Sequence, residues 1–234
     1  MKDNIKISII IPCYNEEKTL NQIIEKVLNF KTYDKEIIIV DDCSTDNTQN
    51  IINELKKNHS EIQSIRHEKN SGKGESVKTG IKASNGNIIL FQDADLEYNP
   101  EDYNKLISPF INADAEVVYG SRFLGGNYVR LHFFWHHVAN KLLSILCNIL
   151  TNLNMTDMET GYKLFKSEII KSIKLNEKSF GIEPEITMKL ARKKCIFYEV
   201  PISYRGRSYE EGKKIGIKDA FIAVYCIIKY KFFD

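Results

Sequence analysis

No stretch of this chain is long and apolar enough to cross a membrane, which takes roughly 18 to 20 consecutive apolar residues. The tail from Ile215 to Phe233 comes nearest, but Lys218, Asp219, Lys229 and Lys231 break it. The opening MKDNIKISIIIPCYNEE also lacks what a signal peptide needs. Its apolar run is short, charge follows it, and no small-residue cleavage site is present, so it reads as a first strand. Charge of one sign is missing too. The net formal charge is only +2, so bulk charge gives no reason to expect a nucleic-acid partner. The five cysteines (Cys13, Cys43, Cys147, Cys195, Cys226) are scattered without paired spacing. An odd, dispersed set argues against a disulfide framework and fits a reducing compartment. There is no internal repeat, low-complexity tract or linker in the 234 residues, a length that suits one domain with a full core.

What is present is alternation. Ile7 to Ile11 is a nearly continuous β-branched run, the mark of a strand buried on both faces. Leu20, Ile23, Ile24, Val27 and Leu28 then recur at helical spacing. The pattern repeats with strands at 37–40, 62–65, 88–91 and 116–119, and with helices carrying Ile51, Ile52 and Leu55, then Val77 and Ile81, then Tyr103, Leu106, Ile107 and Phe110. Asn99-Pro100 reads as the cap and first-turn proline of the last of these. Such alternation predicts an α/β fold with a mostly parallel sheet between helices. The second half predicts a long aromatic helix over 133–153, a strand-like end to 155–165, a helix over 184–194, an extended segment over 196–204, a mobile loop over 205–215 and a helical amphipathic tail.

Polar motifs follow the strands, where open α/β sheets bind ligands. Asp93-Ala94-Asp95 ends the run IILFQ. Paired carboxylates are hard oxygen donors suited to Mg²⁺ or Mn²⁺. An ion there would bridge the two phosphates of a nucleotide and take up the charge of a leaving group. Glu97 is a third candidate ligand. An Asp-x-Asp pair alone reads equally as a loop capping the next helix. After the first strand comes Pro12-Cys13-Tyr14-Asn15-Glu16, in which Tyr14 offers a ring face to a base and Asn15 a helix cap. After the second comes Asp41-Asp42-Cys43-Ser44-Thr45-Asp46. A carboxylate here accepts the N–H of uracil or guanine, with Ser44 or Asp46 as a cap for the helix that follows. In Gly72-Lys73-Gly74 the glycines admit a close ligand and Lys73 meets phosphate; alone the motif is a tight turn.

PCYNEE, VDDCSTDNT, NSGKG and DAD, in this order and each behind its strand, resemble the family-2 glycosyltransferases of GT-A fold. The likeness extends through Gly120-Ser121-Arg122 to DMETGYKLF (157–165) and is strongest to the dolichyl- or polyprenyl-phosphate sugar synthases. The resemblance implies a single domain, with 1–122 binding a GDP- or UDP-sugar and 123–234 facing the acceptor. It places Pro12, Tyr14, Glu16, Asp41 and Asp42 at the nucleoside, Gly72 and Lys73 at the ribose or diphosphate, and Asp93, Asp95 and Glu97 at the metal. Family members often carry glutamine where Glu97 stands. Arg122 would lie beside the donor and Arg207 at the acceptor phosphate, with Lys213 or Lys214 assisting. The expected outcome is inversion, by attack on the anomeric carbon from the face opposite the leaving diphosphate. A lipid phosphate is anionic at neutral pH and needs cations such as Arg122, Arg207 and Lys214, not a strong base. A hydroxyl acceptor would need Asp157 or Glu159 as base. The intact Asp93/Asp95 pair counts against a non-catalytic sugar-nucleotide-binding protein, and PCYNEE does not fit the Gly-rich, Arg-containing loop of a nucleotidyltransferase. The apolar stripes at 133–150 and 221–233 read either as core or as faces resting on the cytoplasmic side of a membrane. His132, His136 and His137 do not read as a metal site, because no third ligand of matching chemistry stands near.

Overall fold

A computed structural model describes residues 5–125, 130, 134–207 and 216–233. Seven strands form one sheet: β1 (Lys6–Cys13), β2 (Asp34–Asp41), β3 (Ile62–Arg66), β4 (Ile88–Phe91), β5 (Val117–Ser121), β6 (Lys163–Lys166) and β7 (Phe197–Pro201). Eight helices are described around them: α1 (Leu20–Asn29), α2 (Thr48–Asn58), α3 (Lys73–Ala83), α4 (Tyr103–Asn112), α5 (Phe134–Thr151), α6 (Ser167–Lys171), α7 (Ile182–Arg192) and α8 (Ile217–Phe232). The two-residue period of a strand sends alternate side chains to opposite faces. Ile7, Ile9 and Ile11 of β1 and Ile37 and Ile39 of β2 join one core with α1, α2 and α4. Ile10, Ile38 and Val40 join the other with α3, α5, α7 and α8. The unbroken isoleucine runs are therefore what a sheet covered on both sides requires.

The strand order is β3-β2-β1-β4-β6-β5-β7. β1, β2, β3 and β4 are mutually parallel, and β5 is parallel to β7. The strand expected at 116–119 keeps the parallel direction, but it is not hydrogen-bonded to β4. β6, antiparallel to both neighbours, lies between β4 and β5. The reversal matters, because residues just before β6 come to the same end of the sheet as residues just after β1, β2, β4, β5 and β7.

One capping expectation is also corrected. Asn15 does not cap α1, which begins at Leu20 behind Thr19. Asn15 instead takes a left-handed backbone (φ 54°), and its side-chain Oδ1 accepts from the Thr45 N–H at 2.8 Å. Ser44 serves that turn as well, its Oγ accepting from Asn15 N–H at 3.0 Å, while Asp46 does accept from Thr48 N–H at the start of α2 (3.0 Å). Asn99 caps as expected, but through a 3₁₀ turn over Pro100–Asp102 that leads into α4.

A candidate active site at the carboxyl ends of the strands

The loops after β1 and β2 are sewn together. Glu16 N–H donates to Thr48 Oγ1 (2.9 Å), and Glu17 Oε2 accepts from Asn47 N–H (2.9 Å). Asp42 is buried, and its carboxylate accepts from Ser71 N–H (2.9 Å) and Gly72 N–H (2.7 Å). Asp41 Oδ1 accepts from Ser44 N–H (2.9 Å), with Arg66 3.3 Å from Oδ2. Both aspartates thus first fasten the loops around which a base would lie, and Tyr14 stands half-exposed beside them. One residue here escapes sequence reasoning. His67 Nδ1 lies 2.7 Å from Asp42 Oδ1, and its Nε2 lies 3.0 Å from Thr79 Oγ1. Its only signal is its place directly after β3. Gly72 needs its glycine: φ is +95°, and a Cβ would overlap the Lys178 carbonyl.

At the end of β4 three carboxylates crowd two cations. Lys73, the first residue of α3, lies 2.7 Å from Asp93 Oδ1 and 3.4 Å from Glu183 Oε1. Arg207 donates to Asp95 Oδ2 (2.6 Å) and to Glu97 Oε1 from its backbone N–H (2.8 Å), and its Nη1 is 3.9 Å from Glu16 Oε1. Tyr204 donates to Glu97 Oε2 at 2.8 Å. Burial, then the charges of Asp93 and Glu97, push the Asp95 carboxyl up to about 7. Burial alone would lower the Lys73 pKa, but Asp93 and Glu183 hold it above its ordinary value. Among the described residues no three His, Cys, Asp or Glu side chains stand ready as a ligand set, since Lys73 and Arg207 hold the carboxylate oxygens. The donor set still fits a hard divalent cation: oxygen ligands only, mutually repelling, at a place already built to be neutralised. Arg207, expected at an acceptor phosphate, sits instead on the carboxylates of Asp95 and Glu97. Its possible partners Glu210 and Glu211, with Lys213 and Lys214, lie outside the described residues, as does most of the loop expected over 205–215.

Arg122, just past β5, is locked to Asp157. Asp157 Oδ2 accepts from Arg122 N–H (3.0 Å) and Nε–H (2.6 Å), and Oδ1 accepts from Nη2–H (2.6 Å). Asp157 is fully buried. The Arg122 guanidinium also lies 5.1 Å from the centre of the Tyr204 ring. Both oxygens of Asp157 are thus spent on orienting Arg122. Glu159 sits two residues on, and Lys163 pairs with Glu183 at 2.6 Å, which links this side to Lys73 and Asp93.

The apolar stretches divide by face. On α8, Ala223, Cys226, Ile227 and Tyr230 are buried, while Phe221, Tyr225 and Phe232 are 72%, 63% and 64% exposed. On α5, Leu143 and Cys147 face inward, and Trp135, Leu142 and Ile149 face out. Lys231 ties the two helices by donating to the Leu150 carbonyl (2.6 Å). No helix among the described residues is long and apolar enough to cross a membrane. His132 and Phe133 lie outside the described residues; His137 packs edge-on against Phe123.

Comparison with known proteins gives the family and the fold. The family model "Glycosyl transferase family 2" matches residues 8–174. A dolichol-phosphate mannosyltransferase of Pyrococcus furiosus is 31% identical over 218 residues, covering 90% of this chain and 61% of its own length. A UDP-N-acetylglucosamine–dolichyl-phosphate N-acetylglucosaminyltransferase of Methanococcus voltae is 31% identical over 242 residues, 96% of either chain. The chain thus spans under two thirds of the first relative and nearly all of the second. In fold it resembles glucosyl-3-phosphoglycerate synthase from Mycobacterium tuberculosis, solved with Mn²⁺, UDP and phosphoglyceric acid (TM-score 0.74, 19% identity, 98% of this chain and 80% of that one).

Proposed function

The chain belongs to glycosyl transferase family 2, and on that premise we propose that it transfers a sugar from a nucleoside-diphosphate sugar to a polyprenyl phosphate at a membrane surface. The observation that carries this reading is the band of charge at the strand ends: Asp93, Asp95 and Glu97 between three cations, Lys73, Arg122 and Arg207. The two relatives named above support a lipid-phosphate acceptor, since dolichol-phosphate stands in the one name and dolichyl-phosphate in the other.

Asp93 and Asp95, with Glu97 beside them, would hold Mg²⁺ or Mn²⁺, which neutralises the donor diphosphate. Lys73 lies at the start of α3, where helix N–H groups and a cation together favour phosphate. Tyr14, Glu16 and the loops held by Asp41 and Asp42 enclose the nucleoside. Arg122 is held rigid by Asp157, so its free edge is set in advance toward an anion. Arg207 would give up its bond to Asp95 if a metal took that oxygen, and would then be a cation available to the acceptor phosphate. That phosphate attacks the anomeric carbon from the face opposite the diphosphate, which inverts the configuration. Asp157 has no free oxygen to act as base for a hydroxyl acceptor; the phosphate acceptor rests on the two relatives. The aromatic faces of α5 and α8 would rest on the membrane that holds the lipid.

The test is thermal-shift and calorimetric binding of UDP, GDP and their sugars with and without Mn²⁺, followed by transfer to a polyprenyl phosphate. Metal-dependent binding of one sugar nucleotide and a lipid-linked product are expected. Binding without transfer to any lipid phosphate would overturn the acceptor assignment.

A further inference from the structure

Near Arg122, Lys163 and Glu183 lies a carboxylate that none of these roles uses. Glu159 Oε1 has no exposed surface and no hydrogen-bond partner, and the hydroxyl of the next residue, Thr160, is likewise buried and unpartnered. Such groups are rare in folded proteins, because each has given up water and received nothing for it. Their neighbours are all engaged. Asp157 is spent on Arg122, Glu183 pairs with Lys163 and Lys73, and Glu199 accepts from Thr156 and Asp157 N–H. Glu183 Oε2 makes no hydrogen bond but has Lys163 2.6 Å away, so within the segment 157–163 the unpartnered polar atoms are those of Glu159 and Thr160.

Their place is informative. Gly161, the next residue, packs so closely on Asp93 and the Tyr98 ring that a Cβ would overlap both. Gly161 therefore passes directly against a carboxylate assigned to the metal, and Thr160 and Glu159 precede it on the chain toward Asp157, the partner of Arg122. A group bonded to the far phosphate of a nucleotide at Asp93 would meet this segment first. A phosphate would be repelled by Glu159, and an apolar group would leave it unpaired. A sugar ring brings several O–H donors. Burial, opposed by Lys163, raises the Glu159 carboxyl to about 7, so at neutral pH it has both proton-accepting and proton-donating forms.

We propose that Glu159, with Thr160 beside it, recognises hydroxyl groups of the transferred sugar and so sets which sugar is accepted. This rests on the donor reading above. A site built around a hydroxyl discriminates strongly against a sugar that lacks it, because its own polar group is then left buried and unpaired.

The experiment measures calorimetric affinities of the full chain with Mn²⁺ for UDP and UDP-N-acetylglucosamine and for GDP and GDP-mannose. Wild type is compared with Glu159→Gln, Glu159→Ala and Thr160→Val. Affinity for the bare nucleotide should stay within about twofold. The additional affinity contributed by the sugar should fall roughly tenfold to a hundredfold in Glu159→Ala, the range of one charge-assisted hydrogen bond, and less in Glu159→Gln, which keeps an acceptor. An unchanged sugar increment in Glu159→Ala would overturn the proposal. So would equal loss of nucleotide and sugar nucleotide in both Glu159 variants, which would make Glu159 a counter-charge for Lys163. If wild type binds no nucleotide at all, the donor reading fails first and takes this assignment with it.

Discussion

On one side of the site, Asp41 and Asp93 directly end or follow parallel strands whose isoleucine runs stand out in the sequence. On the other, Arg122 and Asp157 are 35 residues apart and Arg207 is 112 from the Asp95 it touches. They meet because β6 runs backwards between β4 and β5 and because β7 ends at the same edge. The first side is put together by strand order alone, and its carboxylates crowd one another. The second is held together by ion pairs, of which Arg122–Asp157 is buried. Removing a charge should therefore relieve the first side and damage the second.

The largest effect is expected at Asp157. Asp157→Asn leaves the Arg122 guanidinium buried without its counter-charge, which costs about 3–5 kcal/mol. Urea unfolding should show that loss. Asp95→Asn removes a charge from a crowded cluster, so it should abolish transfer while leaving unfolding stability at or above wild type. Equal destabilisation by the two changes would erase the distinction between the sides.

The next effect sharpens it through pH. An unfolded glutamate loses its proton near 4.3, whereas folded Glu159 keeps it to about 7. Between those values the folded state binds more protons, so stability falls as pH rises and levels off above about 7. The loss attributable to Glu159 is on the order of 3 kcal/mol. Glu159→Gln should flatten that part of the profile; identical slopes in the two proteins would show that the group titrates normally.

A smaller effect concerns Arg207, which connects the two sides. Because it shares Asp95 and Glu97 with any metal, Arg207→Ala should bind Mn²⁺ about tenfold more tightly, as followed by electron paramagnetic resonance. Its transfer to a polyprenyl phosphate should slow by roughly one to two decades. Arg207→Lys keeps the charge but loses the paired hydrogen bonds and should lie between. Weaker Mn²⁺ binding in Arg207→Ala would mean that the arginine organises the metal carboxylates instead of competing for them.

The same division explains what was legible beforehand. Strands 1 to 5 and the residues at their ends were readable because period and propensity act locally. The insertion of β6 was not, since nothing near 163–166 records which strands it will join. The role of Asp157 as the holder of Arg122 was hidden for the same reason, and so was Lys163, an ordinary lysine in sequence that is buried against Glu183. His67 was hidden by its ordinary surroundings, although its position after a strand is the place where such residues count. Asn15 misled because a cap and a left-handed turn favour the same residue type.

The smallest effect on folding is expected where the sequence left core and membrane undecided. On α8 one face, with Ile227 and Tyr230, is buried, and the other, with Phe221, Tyr225 and Phe232, is in the open. An exposed side chain has no burial to lose, so changing all three to serine should alter unfolding stability by no more than about 0.5 kcal/mol per site. If that face rests on lipid, each aromatic buried there contributes about 1.5–3 kcal/mol. The triple variant should then lose at least two decades of partition into liposomes carrying polyprenyl phosphate. Transfer to a short, water-soluble prenyl phosphate should be unaffected, because the charged residues at the strand ends are untouched. Partition equal to wild type would detach the aromatic face from the membrane, and a loss of transfer to the soluble acceptor as well would tie α8 to the chemistry itself. Glu177 makes that second outcome physically possible: it accepts from Lys229 and Tyr230 of α8 (2.8 and 2.6 Å) and adjoins Lys178, whose carbonyl packs on Gly72.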